Sequence, residues 1–144
     1  MTQKENPWKT LRKELVYENP WIKLEHHEVL NPSDQPGVYG TVSFHNLAVG
    51  IIPIDTDNNT FLVGQFRFPL NDYSWEIPEG GSKLKSDPLV AAKRELKEET
   101  GIIATIWNQL QTIHTSNSVT DEFGIIYTAE GLSYFEPEPD ADEE

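Results

Sequence analysis

The sequence has few positively charged residues, no cysteine and no long apolar run. Each of these shortages excludes a class of protein or of partner. It contains no cysteine, which excludes a disulfide framework. It has neither a signal peptide nor an apolar run long enough to span a bilayer, so we expect a cytoplasmic protein with no membrane partner. At 144 residues it is long enough for one domain of ordinary size with a single core.

The shortage of positive charge is the most informative of these. Lys and Arg number 11 against 24 Asp and Glu, which gives a formal net charge of −13. Nucleic-acid binding draws its affinity from cationic side chains that neutralise phosphates, so we expect no nucleic-acid partner. A small diphosphate substrate would also be repelled unless metal ions neutralised it first. Acidity and the use of a metal therefore belong together.

The pattern of apolar residues predicts a chain made mostly of strands. Most of the segments that we predict to be strands alternate apolar and polar residues. The segment 47–54 is instead a continuous apolar run, which is typical of a strand buried on both faces. The predicted strand segments are 11–18, 21–30, 37–45, 47–54, 60–68, 102–115 and 123–130. With one helix among many strands, the expected fold class is α+β.

The helix is expected to begin after Ser86 or Asp87 and to end at Gly101. Either of the first two residues can cap it, and Pro88 fits the first turn, where a missing N–H does no harm. Gly101 stands where a left-handed terminating residue is expected. Apolar residues recur at i, i+3 and i+7 and form a stripe by which the helix can pack against the core. They are Leu89, Ala92 and Leu96.

Three glutamates of this helix indicate a metal site. Glu95, Glu98 and Glu99 fall at i, i+3 and i+4, so their carboxylates project from one face. Like charges at this spacing repel, but a divalent cation among them reverses the effect, because oxygen ligands suit Mg²⁺ or Mn²⁺. The alternative is a solvated charged helix in which Arg94 pairs with Glu98 at i+4.

The segment around these glutamates resembles the signature of the Nudix hydrolases, G-x5-E-x7-R-E-U-x-E-E-x-G-U, in which U is aliphatic. Eight of its nine fixed positions match, and Ser86 stands where the family has the remaining glutamate. The matching residues are Gly80, Arg94, Glu95, Leu96, Glu98, Glu99, Gly101 and Ile102.

The resemblance implies roles for these residues. Glu95, Glu98 and Glu99 would hold the metal ions, with Glu79 counted among the ligands, and Arg94 would fix Glu95 through a charge-assisted hydrogen bond. The glutamate missing from the signature is not one of the family's main metal ligands. Its replacement by serine therefore bears on efficiency more than on reaction type.

Shorter segments resemble the ADP-ribose and nucleoside-diphosphate-sugar pyrophosphatase branch of the family. They are ELVYENPWIKLEHHEVLNP at 14–32, QFRFP at 65–69, WEIPEGG at 75–81 and TSNSVTDE at 115–122. In that branch an N-terminal strand pair swaps onto a second subunit, and one of its aromatic residues stacks on the base. An arginine before the signature contacts phosphate or ribose, and a glutamate in a late loop handles the water.

The branch resemblance implies that Trp21 and Tyr39 bind the base of the substrate. It also implies that Arg67 contacts phosphate or ribose and that Glu122 handles the attacking water. Together with Glu122, the signature residues Arg94 and Glu98 are expected to be catalytic. Each branch residue also has a plainer interpretation, since Trp21 could belong to a core, Arg67 to an ordinary surface and Glu122 to a simple turn.

We therefore predict three regions. The N-terminal strands over 1–36 exchange between the subunits of a homodimer, and 37–135 form a Nudix domain, a mixed β-sheet sandwich with one catalytic helix. An acidic tail follows over 136–144. Members of this branch usually continue with a further strand and helix that cover the second sheet face, so apolar sheet surface here is expected to need a partner subunit as its cover.

The expected reaction is hydrolysis of the pyrophosphate bond of ADP-ribose or a related nucleoside diphosphate sugar, with Mg²⁺ or Mn²⁺ as cofactor. The products would be a nucleoside monophosphate and a sugar phosphate. Two alternatives stay open: a Nudix enzyme that acts on nucleoside triphosphates or dinucleoside polyphosphates, and a Nudix module that binds a nucleotide without hydrolysing it. Ser86 favours the second of these, whereas the intact helix glutamates count against it.

Overall fold

A computed structural model describes residues 5–137, in which nine strands and one helix form three sheets with a single helical layer. The strands are β1 (Lys9–Glu18), β2 (Ile22–Leu30), β3 (Pro36–Phe44), β4 (Asn46–Pro53), β5 (Val63–Arg67), β6 (Asp72–Glu76), β7 (Glu79–Lys83), β8 (Ile102–His114) and β9 (Phe123–Tyr134), and the helix is α1 (Pro88–Thr100). No helix within the described range is long and apolar enough to cross a membrane. Most of the predicted acidic tail, from residue 138 onward, lies outside the described residues.

The chain divides into two compact units. The first contains the described residues up to His45 together with Thr115–Glu122, and its sheet has the order β1-β2-β3 with antiparallel neighbours. The segment Thr115–Glu122 adds to the free edge of β3, where the Val42 amide donates to the Val119 carbonyl at 2.9 Å. The predicted N-terminal strand pair is thus confirmed, and β3 joins it as a third strand.

The second unit contains Asn46–His114 and the described residues from Phe123 on. Its main sheet has the order β7-β4-β9-β8, in which β4 and β9 are parallel and the other pairs are antiparallel. Helix α1 packs on one face of this sheet. The core between them consists of Leu47, Val49, Ile51, Ala92, Leu96, Ile102, Tyr127 and Ala129. The mixed sheet with one helix is the predicted α+β arrangement, and the continuous apolar run is its buried central strand.

Local sequence signals place the helix as predicted. The Asp87 side chain caps it by accepting a hydrogen bond from the Leu89 amide at 3.0 Å, and Pro88 occupies the first turn. Gly101 ends it in the left-handed conformation, with φ of 68°. Ala92 and Leu96 are fully buried in the core and Leu89 packs against it, so the predicted apolar stripe is correct.

The sequence pattern missed two short strands. Strand β6 pairs with β5 in a two-stranded sheet, and β7 pairs with β4. Strand β7 reads EGGSK and has no apolar alternation, so only its pairing with a buried neighbour makes it a strand. The segment 102–115, in which one or two strands were expected, forms the single strand β8, with a register shift between Gln109 and Gln111.

Candidate active site

Arg94 lies between two of the helix glutamates. One terminal nitrogen of its guanidinium donates to Glu95 and the other donates to Glu98, each at 2.5 Å. Partial burial alone would lower the pKa of Arg94, but the attraction of Glu95 and Glu98 outweighs it and raises that pKa. The expected hold of Arg94 on Glu95 and the alternative i+4 pair with Glu98 are therefore both present.

Glu95 is a buried acid at the contact between α1 and β7. Its side chain is 9% exposed, and its carboxylate lies against Gly80 on the strand. A buried carboxylate is costly unless it is paired. Arg94 supplies that partner, and the absence of a side chain at Gly80 supplies the space.

Glu99 and Glu79 connect the helix to the start of β7. The Glu99 carboxylate accepts a hydrogen bond from the Glu79 backbone amide at 3.0 Å. The side chain of Glu79 in turn accepts a bond from Arg67 at 2.5 Å. The carboxylates that the sequence assigns to the metal thus come from two elements that lie side by side.

Arg67, at the end of β5, is held by carboxylates. Its Nε donates to both carboxylate oxygens of Glu76 at 3.0 Å, and its Nη2 donates to Glu76 and Glu79. Hydrogen bonding to Glu76, with further attraction from Glu79 and Glu99, raises the pKa of the Arg67 guanidinium against the opposing effect of partial burial. The same bond lowers the pKa of the Glu76 carboxyl.

We call these acids of the second unit, with Arg67 and Arg94, the carboxylate cluster. Arg67 joins Glu76 and Glu79, whose backbone amide donates to Glu99, and Arg94 joins Glu95 and Glu98. Such an oxygen-rich donor set fits a hard divalent cation. In the arrangement observed, the two arginines hold the carboxylates, and no group of three or more His, Asp or Glu side chains within residues 5–137 stands ready to hold a metal ion. Sequence analysis missed Glu76 as a member, although it lies inside the branch-like segment WEIPEGG.

Trp21 and Tyr39 lie on the first unit. The Asn19 side chain accepts from the amides of Trp21 and Ile22 at 2.9 and 2.8 Å, and this turn leaves Trp21 66% exposed. Trp21 is thus not a core residue. Tyr39 packs edge-on against Trp8, with ring centroids 5.6 Å apart, a partner for which the sequence offered no signal.

Tyr39 also lines a pocket of about 310 Å³ on the first unit. The pocket wall continues through polar residues of β2, β3 and the loop 117–121. Trp21 is not among the described residues that line it. Tyr39 therefore lies beside hydrogen-bonding groups, whereas Trp21 lies apart from them at the β1–β2 turn.

Glu122 ends the loop that lies along β3. Its carboxylate accepts a hydrogen bond from the Thr115 hydroxyl at the other end of that loop. The neighbouring Asp121 accepts from the Phe44 amide at 3.0 Å. The two acids thus differ: Asp121 anchors the loop to the sheet, whereas Glu122 closes the loop on itself.

Two family models match the chain. The family model described as NUDIX domain matches residues 44–144, and the one described as nucleoside diphosphate sugar hydrolase N-terminal domain matches residues 8–42. The chain is 35% identical to a methanol dehydrogenase activator of Bacillus methanolicus and 32% identical to an ADP-ribose pyrophosphatase of Bacillus subtilis. Each alignment covers 136 residues, 94% of this chain and 73% of the relative.

A solved structure described as an ADP compounds hydrolase has the same fold. It matches with a TM-score of 0.84 and 23% identity, over 99% of this chain and 77% of that one. At this identity the likeness shows the fold alone, and it confirms the fold class that the sequence predicts.

Proposed function

Because the chain belongs to the NUDIX family, we propose that it hydrolyses the pyrophosphate bond of ADP-ribose or a related nucleoside diphosphate sugar. The products are a nucleoside monophosphate and a sugar phosphate. Membership confirms the resemblance seen in the signature and the class of enzyme, a hydrolase of pyrophosphate bonds. One observation carries the choice of substrate: the match of residues 8–42 to the N-terminal domain of nucleoside diphosphate sugar hydrolases.

The two alternatives have less support. An enzyme that hydrolyses nucleoside triphosphates or dinucleoside polyphosphates would not explain why residues 8–42 match the N-terminal domain of nucleoside diphosphate sugar hydrolases. A module that only binds would have no need for the carboxylate cluster, in which Glu95 is buried and held by Arg94. The substitution at Ser86 is outweighed by the intact glutamates.

Glu79, Glu95, Glu98 and Glu99 are the residues proposed to hold the divalent ions, Mg²⁺ or Mn²⁺. Bound there, such ions would neutralise the diphosphate and lower the pKa of a coordinated water. Arg94 orients Glu95 through its charge-assisted bond and so keeps a buried ligand in place. The high negative charge of the chain is consistent with this requirement for a cation.

Arg67 is proposed to grip a phosphate group of the substrate. A guanidinium carries five N–H donors, and a phosphate can take two of them bidentately. The bonds to Glu76 and Glu79 fix the guanidinium before substrate arrives. We expect the phosphate to compete with the carboxylates of Glu76 and Glu79 for the N–H donors of Arg67.

Glu122 is proposed as the general base that accepts the proton of the attacking water. Its carboxylate is already an acceptor for the Thr115 hydroxyl, which limits its rotation. A base positioned in this way typically contributes about 10²–10⁴ in rate. Tyr39 and Trp21 are proposed to bind the base of the substrate.

The proposed assembly is a homodimer whose subunits exchange their N-terminal strands. The proposed location of the protein is the cytoplasm. Every residue of β1 is exposed in the isolated chain, and Leu11, Leu15, Val16 and Tyr17 are among them. An exposed strand with this much apolar surface needs a cover. In the isolated chain residues 31–35 form a tight turn and β2 pairs with β3 along its whole length, so the proposed exchange carries β1, β2 and β3 together.

A substrate panel tests the proposal. Purified protein is incubated with ADP-ribose, another nucleoside diphosphate sugar, a nucleoside triphosphate and a dinucleoside polyphosphate, with Mg²⁺, Mn²⁺ or excess chelator. We expect AMP and ribose 5-phosphate from ADP-ribose in the presence of either metal and no turnover with chelator. Faster hydrolysis of the triphosphate would overturn the choice of substrate. Tight nucleotide binding without turnover on any substrate would indicate the binding module.

A further inference from the structure

A pocket of about 200 Å³ opens between strand β7 and the N-terminal half of α1. Its walls come from β7, from the turn before the helix and from one stripe of the helix. They are formed by Gly81, Ser82, Lys83, Ser86, Asp87, Val90, Ala91 and Arg94. Arg94 is the one residue that the pocket shares with the carboxylate cluster.

Ser82 gives the pocket an unusual feature. It is 1% exposed, and its hydroxyl has no hydrogen-bond partner within the described residues. Buried hydroxyls nearly always have a partner, because leaving one without a bond is costly. The Ser82 hydroxyl therefore keeps its hydrogen-bonding capacity for a polar group that enters the pocket.

Two residues of the pocket wall, Lys83 and Arg94, carry N–H donors that suit an anion. Lys83 forms no ion pair with any described residue, and Arg94 uses two of its five N–H donors on Glu95 and Glu98. Asp87 is the acidic residue of the wall, and its carboxylate already caps the helix by accepting from the Leu89 amide. The wall therefore contains the ammonium group of Lys83, the remaining N–H donors of Arg94, whose charge is shared with Glu95 and Glu98, and two serines.

Ser86 is one of the residues that line the pocket. The Nudix signature has a glutamate at this position, and here a short side chain lines the same pocket as Arg94. A longer side chain at position 86 would extend into the pocket. The serine thus leaves a volume where the signature would place a carboxylate.

We propose that this pocket binds a small oxyanion, such as a carboxylate, sulfate or phosphate group, in place of the missing signature carboxylate. The hydroxyls of Ser82 and Ser86, the ammonium of Lys83 and the remaining donors of Arg94 hold it. The bound anion holds Arg94, which in turn orients Glu95. This last effect on Glu95 rests on the proposed function, whereas binding of the anion does not.

Thermal unfolding of the metal-free, substrate-free protein tests the binding. Sodium sulfate is added at constant ionic strength, with chloride as the balancing salt. A ligand that binds only the folded state at about ten times its Kd should raise Tm by on the order of 5 °C. Lys83→Met should remove most of this rise. Lys85→Met, which removes the same charge two residues along outside the pocket wall, should keep it.

Ser86→Glu tests the position of the anion. Its carboxylate should fill the pocket, raise Tm without sulfate and abolish the response to sulfate. In backbone amide NMR spectra, sulfate should shift the signals of residues 81–87 in the wild-type chain and not in Ser86→Glu. An equal Tm response in the wild-type chain and in Lys83→Met and Lys85→Met would show a general salt effect and overturn the proposal, as would the absence of any response.

A kinetic readout separates this proposal from the proposed function. With ADP-ribose and Mg²⁺, sulfate or acetate should raise kcat of the wild-type chain and leave Ser86→Glu unaffected. If sulfate shifts Tm and the amide signals but no substrate is turned over, the anion site stands and the enzyme proposal fails. If ADP-ribose is hydrolysed without any binding of sulfate, the enzyme stands and the anion site fails.

Discussion

The carboxylate of Glu95 lies so close to the backbone of Gly80 that a Cβ atom at position 80 would stand 2.1 Å from both Cδ and Oε1 of Glu95. Real Cβ atoms essentially never approach other heavy atoms within 3.0 Å. Glycine is therefore required at the start of the signature for space, because β7 and the buried acid of α1 meet there. The first and the third signature residues present in this chain, Gly80 and Glu95, depend on each other.

Gly80→Ala should displace Glu95 and weaken metal binding. Loss of a residue that positions a metal ligand typically costs about 10–100-fold in metal affinity or activity. Mn²⁺ titration and kcat with ADP-ribose measure the two effects. Gly40→Ala is the matched control, because a Cβ there meets nothing within 4 Å. Unchanged metal affinity in Gly80→Ala would show that Glu95 is not a ligand.

Glu99→Gln should nearly abolish turnover and weaken metal binding while the fold is kept. The glutamine retains an oxygen that can accept from the Glu79 amide, as Glu99 does at 3.0 Å, but it loses the charge that attracts the cation. The metal-free variant should unfold no earlier than the wild-type chain, since repulsion on the helix face falls. Calorimetric titration with Mg²⁺ and thermal unfolding measure these outcomes, with Glu130→Gln as control. Full activity of the wild-type chain in excess chelator would contradict the metal requirement itself.

Glu122→Gln should lower kcat by about 10²–10⁴ and change KM little, as expected for a base that acts mainly in the transition state. The variant can still accept from the Thr115 hydroxyl, so the loop should keep its shape. Asp121→Asn is the control and should have a smaller effect, since it retains an acceptor for the Phe44 amide. If kcat of Glu122→Gln is unchanged, the proton goes instead to one of the helix glutamates.

The Arg67–Glu76 pair predicts a loss of stability in acid. Because the bond to Arg67 lowers the pKa of Glu76 below its usual value of 4.5, folding favours the ionised form. The pair therefore stabilises the protein fully above that pH, and this contribution disappears as the pH falls through the lowered pKa. Urea unfolding between pH 6 and pH 3 should show a shallower decline for Glu76→Gln than for Glu130→Gln. Parallel declines would show that the pair does not contribute.

The exchanged homodimer predicts a mass of twice 16.4 kDa by light scattering at micromolar concentration. Trp21→Ala should then raise KM for ADP-ribose without changing metal affinity, because the exposed indole is proposed to stack on the base of the substrate and does not pack in the core. Stacking of one base on an aromatic side chain is worth about 1–3 kcal/mol, which corresponds to a rise in KM of roughly 5–150-fold. A monomer that hydrolyses ADP-ribose with normal KM would refute a site shared between subunits.

Local chemistry made the helix predictable. Asp87, Pro88 and Gly101 act within a few residues of the helix ends, and the apolar stripe repeats within α1 itself. The grouping of Glu95, Glu98 and Glu99 on one face follows from helix geometry alone. The i+4 spacing likewise predicted the pair of Arg94 with Glu98. The bond from Arg94 to the adjacent Glu95 was implied only by the resemblance to the Nudix signature.

Pairings across the chain could not be anticipated in the same way. Strand β7 has no apolar alternation and becomes a strand because β4 lies beside it. The partners of Arg67 and Tyr39 are likewise residues distant in sequence. No local pattern predicts that the Ser82 hydroxyl is buried without a partner among the described residues.

The sequence by itself determined the family, the helix with its carboxylate face and the identity of the acidic residues, because caps, helical periodicity and a signature of fixed spacing act at short range. Only the tertiary structure decided how those acids are held. It placed Glu95 against Gly80, gave Glu76 to Arg67 and left a pocket beside Ser86. The physical reason is that burial and hydrogen bonding depend on which elements pack together, and that packing is a property of the whole fold.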